Sequence, residues 1–372
     1  MEIYLDNAAT TKPAPAALRA MSECARRCYG NPASLHRLGV EASKAVERAR
    51  LTLAESLGAE PDEIVFTSGG TEANNLALKG AAFAAKRRGH VVLSAVEHPS
   101  VAAAAGALRG WGWRVSVVGV DGEGLVDPAR VARAITPATV LVSVMHANHE
   151  VGTIEPVTEL GRLCRRRGVL FHCDACQSFT KEALDVRKVP ADFVSVNAHK
   201  LHGPKGVGAL YARRGAALAP LLYGGGHVGG RRSGTLNVPG IAGFAAAIED
   251  ADPRDAAAMR RLRDRLLGAL RRGVPGLRLN GPREARLCNN LNVTLPETEA
   301  KTLLQKLSAA GIYASAGAAC SSAKAEPSPV LAAIGLSPRE AARSLRLSLG
   351  RWTTRAEVDA AARTILRLIG GS

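Results

Sequence analysis

The sequence VSVNAHKLHGPKGVG, residues 194–208, decides the fold class and contains the first candidate site residue. It begins with a short apolar stretch rich in β-branched residues, which is typical of a buried strand, and a second apolar stretch starts at Val207. A polar turn with glycine and proline separates the two, so Lys200 follows directly after a predicted strand. Burial beside the core favours the neutral amine of a lysine, which can attack a carbonyl carbon to form a Schiff base. An ordinary solvated loop lysine is the alternative, and this stretch alone does not exclude it.

Apolar segments and helix-like segments alternate over residues 62–212. The pattern predicts strands at 64–67, 91–96, 115–120, 140–146, 169–174, 193–197 and 207–212, and helices at 71–88, 100–109, after 128 and at 156–167. Strands that are apolar almost throughout and are joined by helices favour an α/β fold with a mostly parallel, seven-stranded sheet covered by helices. Ligands bind beyond the carboxyl ends of the strands in such sheets, so polar residues at those ends are candidate site residues.

The pattern changes after a helical region that is interrupted near Asp252 and Pro253. Short strands and helices then alternate irregularly, which indicates a smaller α+β unit. We therefore predict a large domain over residues 15–255 and a small domain formed by residues 1–14 and 256–372.

Several predicted strands end in polar residues. His98 follows one strand, Asn148 follows another, and Asp174 closes an apolar strand with Gln177 three residues later. A carboxylate at the mouth of a buried strand is costly unless a cation accompanies it. These residues therefore predict a polar site at one edge of the sheet.

The first strand of the sheet leads into TSGGTEANN, residues 67–75. Gly70 and Thr71 would begin a helix whose free backbone N–H groups, together with the threonine hydroxyl, can bind a phosphate. The same residues would also serve as a simple helix cap, which is the alternative.

Composition limits the classes of partner. The 372-residue chain carries a formal net charge of +16 and has a pI near 10.0, which raises nucleic acid as a partner. The basic residues are dispersed, however, and aromatic residues make up only 4% of the chain, which leaves few stacking platforms for bases. We expect anionic ligands or an acidic protein partner instead. No stretch is long enough to span a membrane and no secretory leader is evident, so we expect a cytoplasmic protein.

The seven cysteines are an odd number, and we expect no disulfide framework. Cys173 and Cys176 form C-x-x-C, and His146 and His149 form H-x-x-H, so a zinc or iron–sulfur site is an alternative. Neighbouring residues of a strand point to opposite faces, and we therefore expect no metal.

A lysine, an aspartate at a strand end, a phosphate-binding helix start and a nearby histidine together suit pyridoxal 5′-phosphate. The chain resembles the cysteine desulfurases of the class V aminotransferase superfamily, which have pyridoxal-phosphate fold type I. The resemblance rests on YLDNAATT (4–11), GNPASLH (30–36), FTSGGTEANN (66–75), EHPS (97–100), SVMHANHEVGT (143–153), HKLHGPKGVG (199–208), RRSGTLN (231–237) and SAGAACSS (315–322).

The resemblance implies roles for individual residues. Lys200 would form the Schiff base with the cofactor, Asp174 would pair with the pyridine nitrogen, Gln177 would reach the phenolic oxygen, and His98 would stack on the ring and take part in proton transfers. The phosphate would be bound by Gly70, Thr71, Asn197, His199 and, from the second subunit of a homodimer, Thr235. Asn148 would contact the cofactor and, with Arg346, bind the substrate carboxylate.

Cys320 distinguishes the possible reactions. It lies in a loop of small residues, which favours a reactive thiol over a packed one, although a passive loop cysteine is the alternative. The resemblance implies that its thiolate takes sulfur from L-cysteine, so that L-alanine leaves and a persulfide remains for an acceptor or scaffold protein. That sulfur would serve iron–sulfur cluster assembly or the thiolation of tRNA or cofactors. A selenocysteine lyase, an aminotransferase and a non-catalytic basic scaffold remain alternatives.

Two positions depart from the pattern of the family. Asn197 stands where relatives commonly have a serine, and His149 stands where an asparagine is more usual.

Overall fold

The computed structural model describes residues 2–86, 88–226, 228–316 and 328–370. Cys320 lies outside these ranges. The strands are β1 (Ile3–Tyr4), β2 (Ile64–Thr67), β3 (His90–Ser94), β4 (Arg114–Val118), β5 (Thr139–Ser143), β6 (Leu170–Asp174), β7 (Phe193–Asn197), β8 (Gly208–Ala212), β9 (Arg278–Leu279), β10 (Asn290–Thr294), β11 (Ile312–Tyr313) and β12 (Ser344–Ser348). The α-helices are α1 (Pro15–Arg27), α2 (Arg37–Leu57), α3 (Gly70–Ala84), α4 (Pro99–Gly110), α5 (Pro128–Ala134), α6 (Val157–Arg166), α7 (Val238–Glu249), α8 (Pro253–Gly273), α9 (Ala300–Ala309), α10 (Pro329–Ala333), α11 (Pro338–Ala342) and α12 (Arg355–Gly370).

A seven-stranded sheet forms the centre of the described structure, with the strand order β2-β8-β7-β6-β5-β3-β4. Five of its strands, from β7 across to β4, pair in parallel, whereas β8 runs antiparallel to both of its neighbours. Strands β6 and β7 are buried along almost their whole length because helices cover both faces of the sheet. The prediction of an α/β fold with a mostly parallel, seven-stranded sheet is confirmed.

The predicted strands start within one residue of the observed ones, but three of them were predicted to be too long. The structure ends these strands at Ser94, Val118 and Ser143, two or three residues before the predicted ends at 96, 120 and 146. Val96, Val144 and Met145 are buried although they lie in loops, so the apolar pattern continues past the last ladder hydrogen bond. The buried parts of those loops therefore surround the edge of the sheet at which the candidate site residues lie.

A separate hydrophobic cluster includes residues from both parts of the predicted small domain. Leu5 packs there with Leu266 and Leu291, and the cluster extends to Leu347 on β12 and Ile365 on α12. Strand β1 pairs in parallel with β11, and a bridge joins Asp6 to Ser348. These contacts support the predicted division into residues 15–255 and residues 1–14 with 256–372, which stays a prediction.

No helix of the described ranges combines the length and the apolar character that crossing a bilayer needs.

Candidate active site

A cavity of about 450 Å³ lies beyond the carboxyl ends of β6 and β7, next to the first turn of α3. This is the edge of the sheet at which the sequence predicted a site. The predicted site residues that line it are Gly70, Thr71, His98, Asp174, Gln177, Asn197, His199 and Lys200.

Lys200 follows the end of β7 and turns its side chain toward the N-terminal segment. Its Nζ donates hydrogen bonds to the carbonyl oxygens of Ala8 and Ala9, at 2.7 Å for Ala9. Burial, followed by the positive charge of Arg346, lowers the pKa of the Lys200 amine to about 8. An appreciable fraction of the amine is therefore neutral near neutral pH, and the neutral form is the one that can attack a carbonyl carbon.

Asp174 is the last residue of β6 and is 4% exposed. Its Oδ2 accepts a hydrogen bond of 2.7 Å from Nδ2 of Asn74 on α3, and its Oδ1 accepts one of 2.9 Å from the backbone N–H of Cys176. These two bonds orient the carboxylate at the cavity wall, where it can accept a further hydrogen bond from a cationic group.

Helix α3 begins at Gly70 and directs its first turn toward the cavity. An acidic residue in that turn, Glu72, is paired with Arg232 at 2.9 Å and also accepts a hydrogen bond from the backbone N–H of Ser68. Its charge is thus compensated, which leaves the positive end of the helix dipole available to an anion. A Cβ at Gly70 would run into Sγ of Cys176 and would lie 3.2 Å from Nδ2 of Asn197. A side chain at this position would therefore have to displace the Cys176 side chain from the cavity wall.

Two histidines of the cavity are predominantly neutral. His98 caps α4 through Nδ1, which accepts a hydrogen bond of 3.2 Å from the backbone N–H of Ser100, and burial lowers its pKa. Burial, together with the charge of Lys200, lowers the pKa of His199 to about 4, and its Nδ1 lies 3.1 Å from Oγ1 of Thr10. A neutral imidazole can both donate and accept a hydrogen bond.

Some predicted site residues do not line the cavity. Asn148 is fully buried, and backbone groups of two loops occupy its side chain: Nδ2 donates to the carbonyl oxygen of Val96, in the loop after β3, at 2.9 Å, and Oδ1 accepts from the N–H groups of Glu150 and Val151 in its own loop. Thr235 is exposed in this single chain. The roles of both residues stay predictions, as does that of Cys320, which lies outside the described residues.

Arg346 on β12 lies just behind the cavity and is 1% exposed. Its Nη1 donates to the carbonyl oxygen of His149 at 3.1 Å, and its Nη2 pairs with Oδ1 of Asp6 at 2.9 Å. Its Nε is buried and has no hydrogen-bond partner among the described residues. Hydrogen bonds from Nη1 and Nη2 thus hold the guanidinium in place, whereas its Nε–H group has no acceptor among the described residues.

His149, Cys176 and Lys181 are among the residues at the site that were not predicted as site residues. His149 and Cys176 line the cavity, and Lys181 donates from Nζ to the carbonyl oxygens of Lys200 and Gln177, at 3.0 and 2.9 Å. The rule that ligands bind at strand ends could have identified His149. Cys176 was considered only as a metal ligand, and the described residues contain no group of three or more potential metal ligands. The sequence contains no signal for Lys181, because its contact with Lys200 depends on how two loops fold together.

The chain is similar to known proteins along nearly its whole length. The family model Aminotransferase class-V matches residues 3–361, and the chain belongs to that family. Cysteine desulfurase IscS of Dictyoglomus turgidum is 41% identical to it over 372 residues, which cover 99% of this chain and 94% of the relative. Within the family the chain therefore belongs with the cysteine desulfurases.

Solved structures share the fold of this chain. A NifS-like protein superposes with a TM-score of 0.93 at 38% identity, with all of both chains covered. A structure described as SspA in complex with cysteine superposes with a TM-score of 0.84 at 34% identity, covering 95% of this chain and 100% of that one.

Members of this family use pyridoxal 5′-phosphate, which is therefore the cofactor of this protein. The residues of the cavity fit it. The first turn of α3, where Arg232 compensates the charge of Glu72, suits the phosphate. The Asp174 carboxylate, which Asn74 holds in place, suits the protonated ring nitrogen of the cofactor. The buried Lys200 amine, whose pKa is lowered, suits the aldehyde.

Proposed function

We propose that this protein is a cysteine desulfurase that removes sulfur from L-cysteine, giving L-alanine and a persulfide on Cys320. The observation that carries the proposal is the buried Lys200 amine, which shares one cavity with Asp174 and the first turn of α3. The membership of the cysteine desulfurases supports the substrate and the reaction.

The cavity residues would hold the cofactor at its distinct groups. Asp174 would keep the ring nitrogen protonated, Gln177 would reach the phenolic oxygen, and His98 would cover the ring. The phosphate would be bound by Gly70, Thr71, Asn197 and His199. When bound, pyridoxal phosphate supplies a conjugated ring that accepts electrons from the substrate Cα.

The residues of the chain supply the proton transfers and the nucleophile. The pKa of the Lys200 amine is about 8, so a fraction of Nζ is neutral near neutral pH and can accept the proton of the substrate Cα. The thiolate of Cys320 then attacks the substrate sulfur, so that an S–S bond forms while the C–S bond breaks. The remaining three-carbon unit takes up protons and leaves as alanine. An acceptor thiolate can then attack the outer sulfur of the persulfide and restore Cys320.

We also propose a cytoplasmic homodimer that passes its sulfur to an acceptor protein. Thr235 is exposed in the single chain, which suits a residue that completes the phosphate site of a second subunit. The formal net charge of +16 favours an acceptor with an acidic surface. The six cysteines of the described ranges are free thiols, as is usual for a reducing compartment.

Mass spectrometry of Cys320 after incubation with L-cysteine tests the assignment. We expect one added sulfur atom on Cys320 and alanine formed without any keto acid, which would exclude an aminotransferase. Cys320→Ser should abolish sulfur transfer, whereas Cys28→Ser, a change in a half-buried thiol at the end of α1, should not. Sulfide release at the wild-type rate by Cys320→Ser would refute the role of Cys320.

A further inference from the structure

The side chain of Lys181 joins the two loops that bring Gln177 and Lys200 to the cavity. Its Nζ donates hydrogen bonds to the carbonyl oxygen of Gln177 at 2.9 Å and to that of Lys200 at 3.0 Å. Neither of these oxygens accepts a hydrogen bond from a backbone N–H of the described residues. Because Gln177 follows β6 and Lys200 follows β7, Lys181 connects the chain beyond the ends of two neighbouring strands.

The polar ends of the Gln177 and Lys200 side chains also lie close together. Nε2 of Gln177 donates a hydrogen bond of 2.9 Å to the carbonyl oxygen of Ala8, and Nζ of Lys200 donates to the same oxygen. In pyridoxal phosphate, neighbouring ring carbons carry the aldehyde and the phenolic oxygen. A lysine that bonds to the aldehyde and a glutamine that reaches the phenolic oxygen must therefore keep a fixed spacing.

Backbone strain occurs in the same two loops. Among the described residues, Thr180 and His202 are the non-glycine residues with a left-handed backbone, each with a φ of 67°. Thr180 directly precedes Lys181, and His202 lies shortly after Lys200. A β-branched residue rarely adopts this conformation, and such strain persists only where the surrounding structure holds it. The position of Lys181 is thus kept although the backbone beside it is strained.

The two hydrogen bonds do not depend on the protonation state of Lys181. Burial lowers the pKa of its amine to about 8, while the Cys288 thiol and the Glu182 carboxyl act in the opposite direction. The ammonium form has three N–H donors and the neutral amine has two, so either form can bind both carbonyl oxygens. A side chain without donors would leave both carbonyl groups without this partner, at a cost in free energy.

We propose that Lys181 is a positioning residue that holds Gln177 and Lys200 at the spacing that bonding of Lys200 to the cofactor aldehyde requires. In that step Nζ of Lys200 attacks the aldehyde carbon, a C=N bond forms and the aldehyde oxygen leaves as water. Lys181 does not line the cavity, so it acts through its two backbone acceptors. The inference deepens the proposed function and rests on the role given there to Lys200.

Two ligands of the apoprotein separate this role from general support of the cavity. Pyridoxal 5′-phosphate can bond to Lys200, whereas 4-deoxypyridoxine 5′-phosphate has a methyl group in place of the aldehyde and cannot. Titration calorimetry gives the dissociation constants of both ligands. Lys181→Met keeps an unbranched side chain but removes the donors. We expect the preference of this variant for pyridoxal phosphate over the deoxy ligand to fall by about 10- to 100-fold, the effect of losing a charged hydrogen-bond donor.

Further variants give the controls. Lys181→Arg keeps the charge and several donors and should recover part of the preference, and Lys181→Leu replaces the methionine variant should that one fail to fold. Lys188→Met changes an exposed lysine further along the same segment and should leave the preference unchanged. Lys200→Ala removes the attacking amine and should abolish the preference.

Three results would overturn the proposal. A preference within about twofold of wild type in Lys181→Met and Lys181→Leu would show that the spacing does not depend on Lys181. Equal weakening of both ligands would show that Lys181 supports the cavity as a whole and does not position Lys200. A preference that survives in Lys200→Ala would show that the bond is made elsewhere. Failure of the proposed function would look different, since the wild-type holoenzyme would then form no alanine from L-cysteine whatever its ligand preference.

Discussion

At the scale of single residues, burial is the largest cause of the altered pKa values around the cavity. It lowers the pKa of Lys200 to about 8 and that of His199 to about 4, and it raises the pKa of Glu97 to about 8. In each case, burial shifts the pKa in the direction that favours the neutral form of the side chain. The neutral forms of Lys200 and His199 can meet an anionic cofactor and a zwitterionic substrate without first breaking ion pairs of their own.

Glu97 offers a direct test of this effect. Its Oε1 accepts hydrogen bonds from Oγ of Ser94 at 2.6 Å and from the N–H of Met145 at 2.9 Å, while Oε2 is buried without a partner among the described residues. Below pH 4.5 the carboxyl is protonated in both folded and unfolded chains. Between 4.5 and about 8 only the folded protein keeps the proton, so Glu97 contributes less stability as the pH rises.

Glu97→Gln keeps the shape of this side chain but cannot ionise. Relative to wild type, we expect the free energy of unfolding of the variant to increase by roughly 2–4 kcal/mol between pH 4.5 and 8.5. Urea unfolding of both holoenzymes across this range measures the difference. Glu55→Gln, on the exposed side of α2, should show little change, and a flat difference for Glu97→Gln would contradict the prediction.

The sequence predicted site residues that lie at or shortly after the ends of strands, among them Asp174, His98 and Lys200. It could do so because an apolar strand that ends in a polar side chain is visible locally. It could not predict that backbone groups of two loops would occupy the amide of Asn148, or that Lys181 would reach the carbonyl oxygen of Lys200. Both depend on loop conformation, which apolar periodicity does not encode.

At the scale of elements, the first turn of α3 is the part of the site most sensitive to added volume. Gly70→Ala would place a methyl group against Sγ of Cys176 and near Nδ2 of Asn197, both on the cavity wall. Overpacking of this kind costs about 1–3 kcal/mol, so we expect the affinity for pyridoxal phosphate to fall about tenfold or more. Absorbance titration of the apoprotein with the cofactor measures it.

Gly106→Ala is the matched control for this substitution. Gly106 lies inside α4, and a Cβ there would meet nothing within 4 Å. Alanine favours the helix, so this variant should gain up to about 1 kcal/mol of stability and keep its cofactor affinity. Equal cofactor affinity in both variants would show that the first turn of α3 tolerates a side chain and would contradict the assignment of Gly70.

The lengths of the elements decided how well they could be predicted. Strands β2 and β7 were predicted with their observed bounds because each is rich in apolar, β-branched or aromatic residues and is fully buried. Strands β1 and β11 are two residues long, and they pair across almost the whole chain, Ile3 with Ile312. Such a pair carries too little local pattern to be found, since its register is set by tertiary packing.

At the scale of the whole molecule, the proposed homodimer can be tested directly, because Thr235 would complete the phosphate site of the other subunit. Thr235 is exposed, and nearby Leu222 and Tyr223 are 44% and 80% exposed. Large apolar side chains that stand exposed next to a proposed contact suit an interface between subunits.

Co-expression of two inactive chains tests this arrangement. One chain carries Lys200→Ala and the other Thr235→Ala, and cofactor is limiting so that the loss of a phosphate contact matters. If Thr235 acts across the interface, each mixed dimer has one site with both a wild-type Lys200 and a wild-type Thr235. Random pairing then makes about a quarter of all sites active, more than either variant alone should give.

The opposite arrangement of the same substitutions distinguishes the two geometries. When Lys200→Ala and Thr235→Ala are placed in one chain and co-expressed with wild type, action across the interface leaves mixed dimers without an intact site, because the wild-type Lys200 faces the altered Thr235. Action within one chain would instead preserve the wild-type site in every mixed dimer. Higher activity from the double-variant mixture than from random wild-type pairs alone would therefore place Thr235 in its own subunit and contradict the shared site.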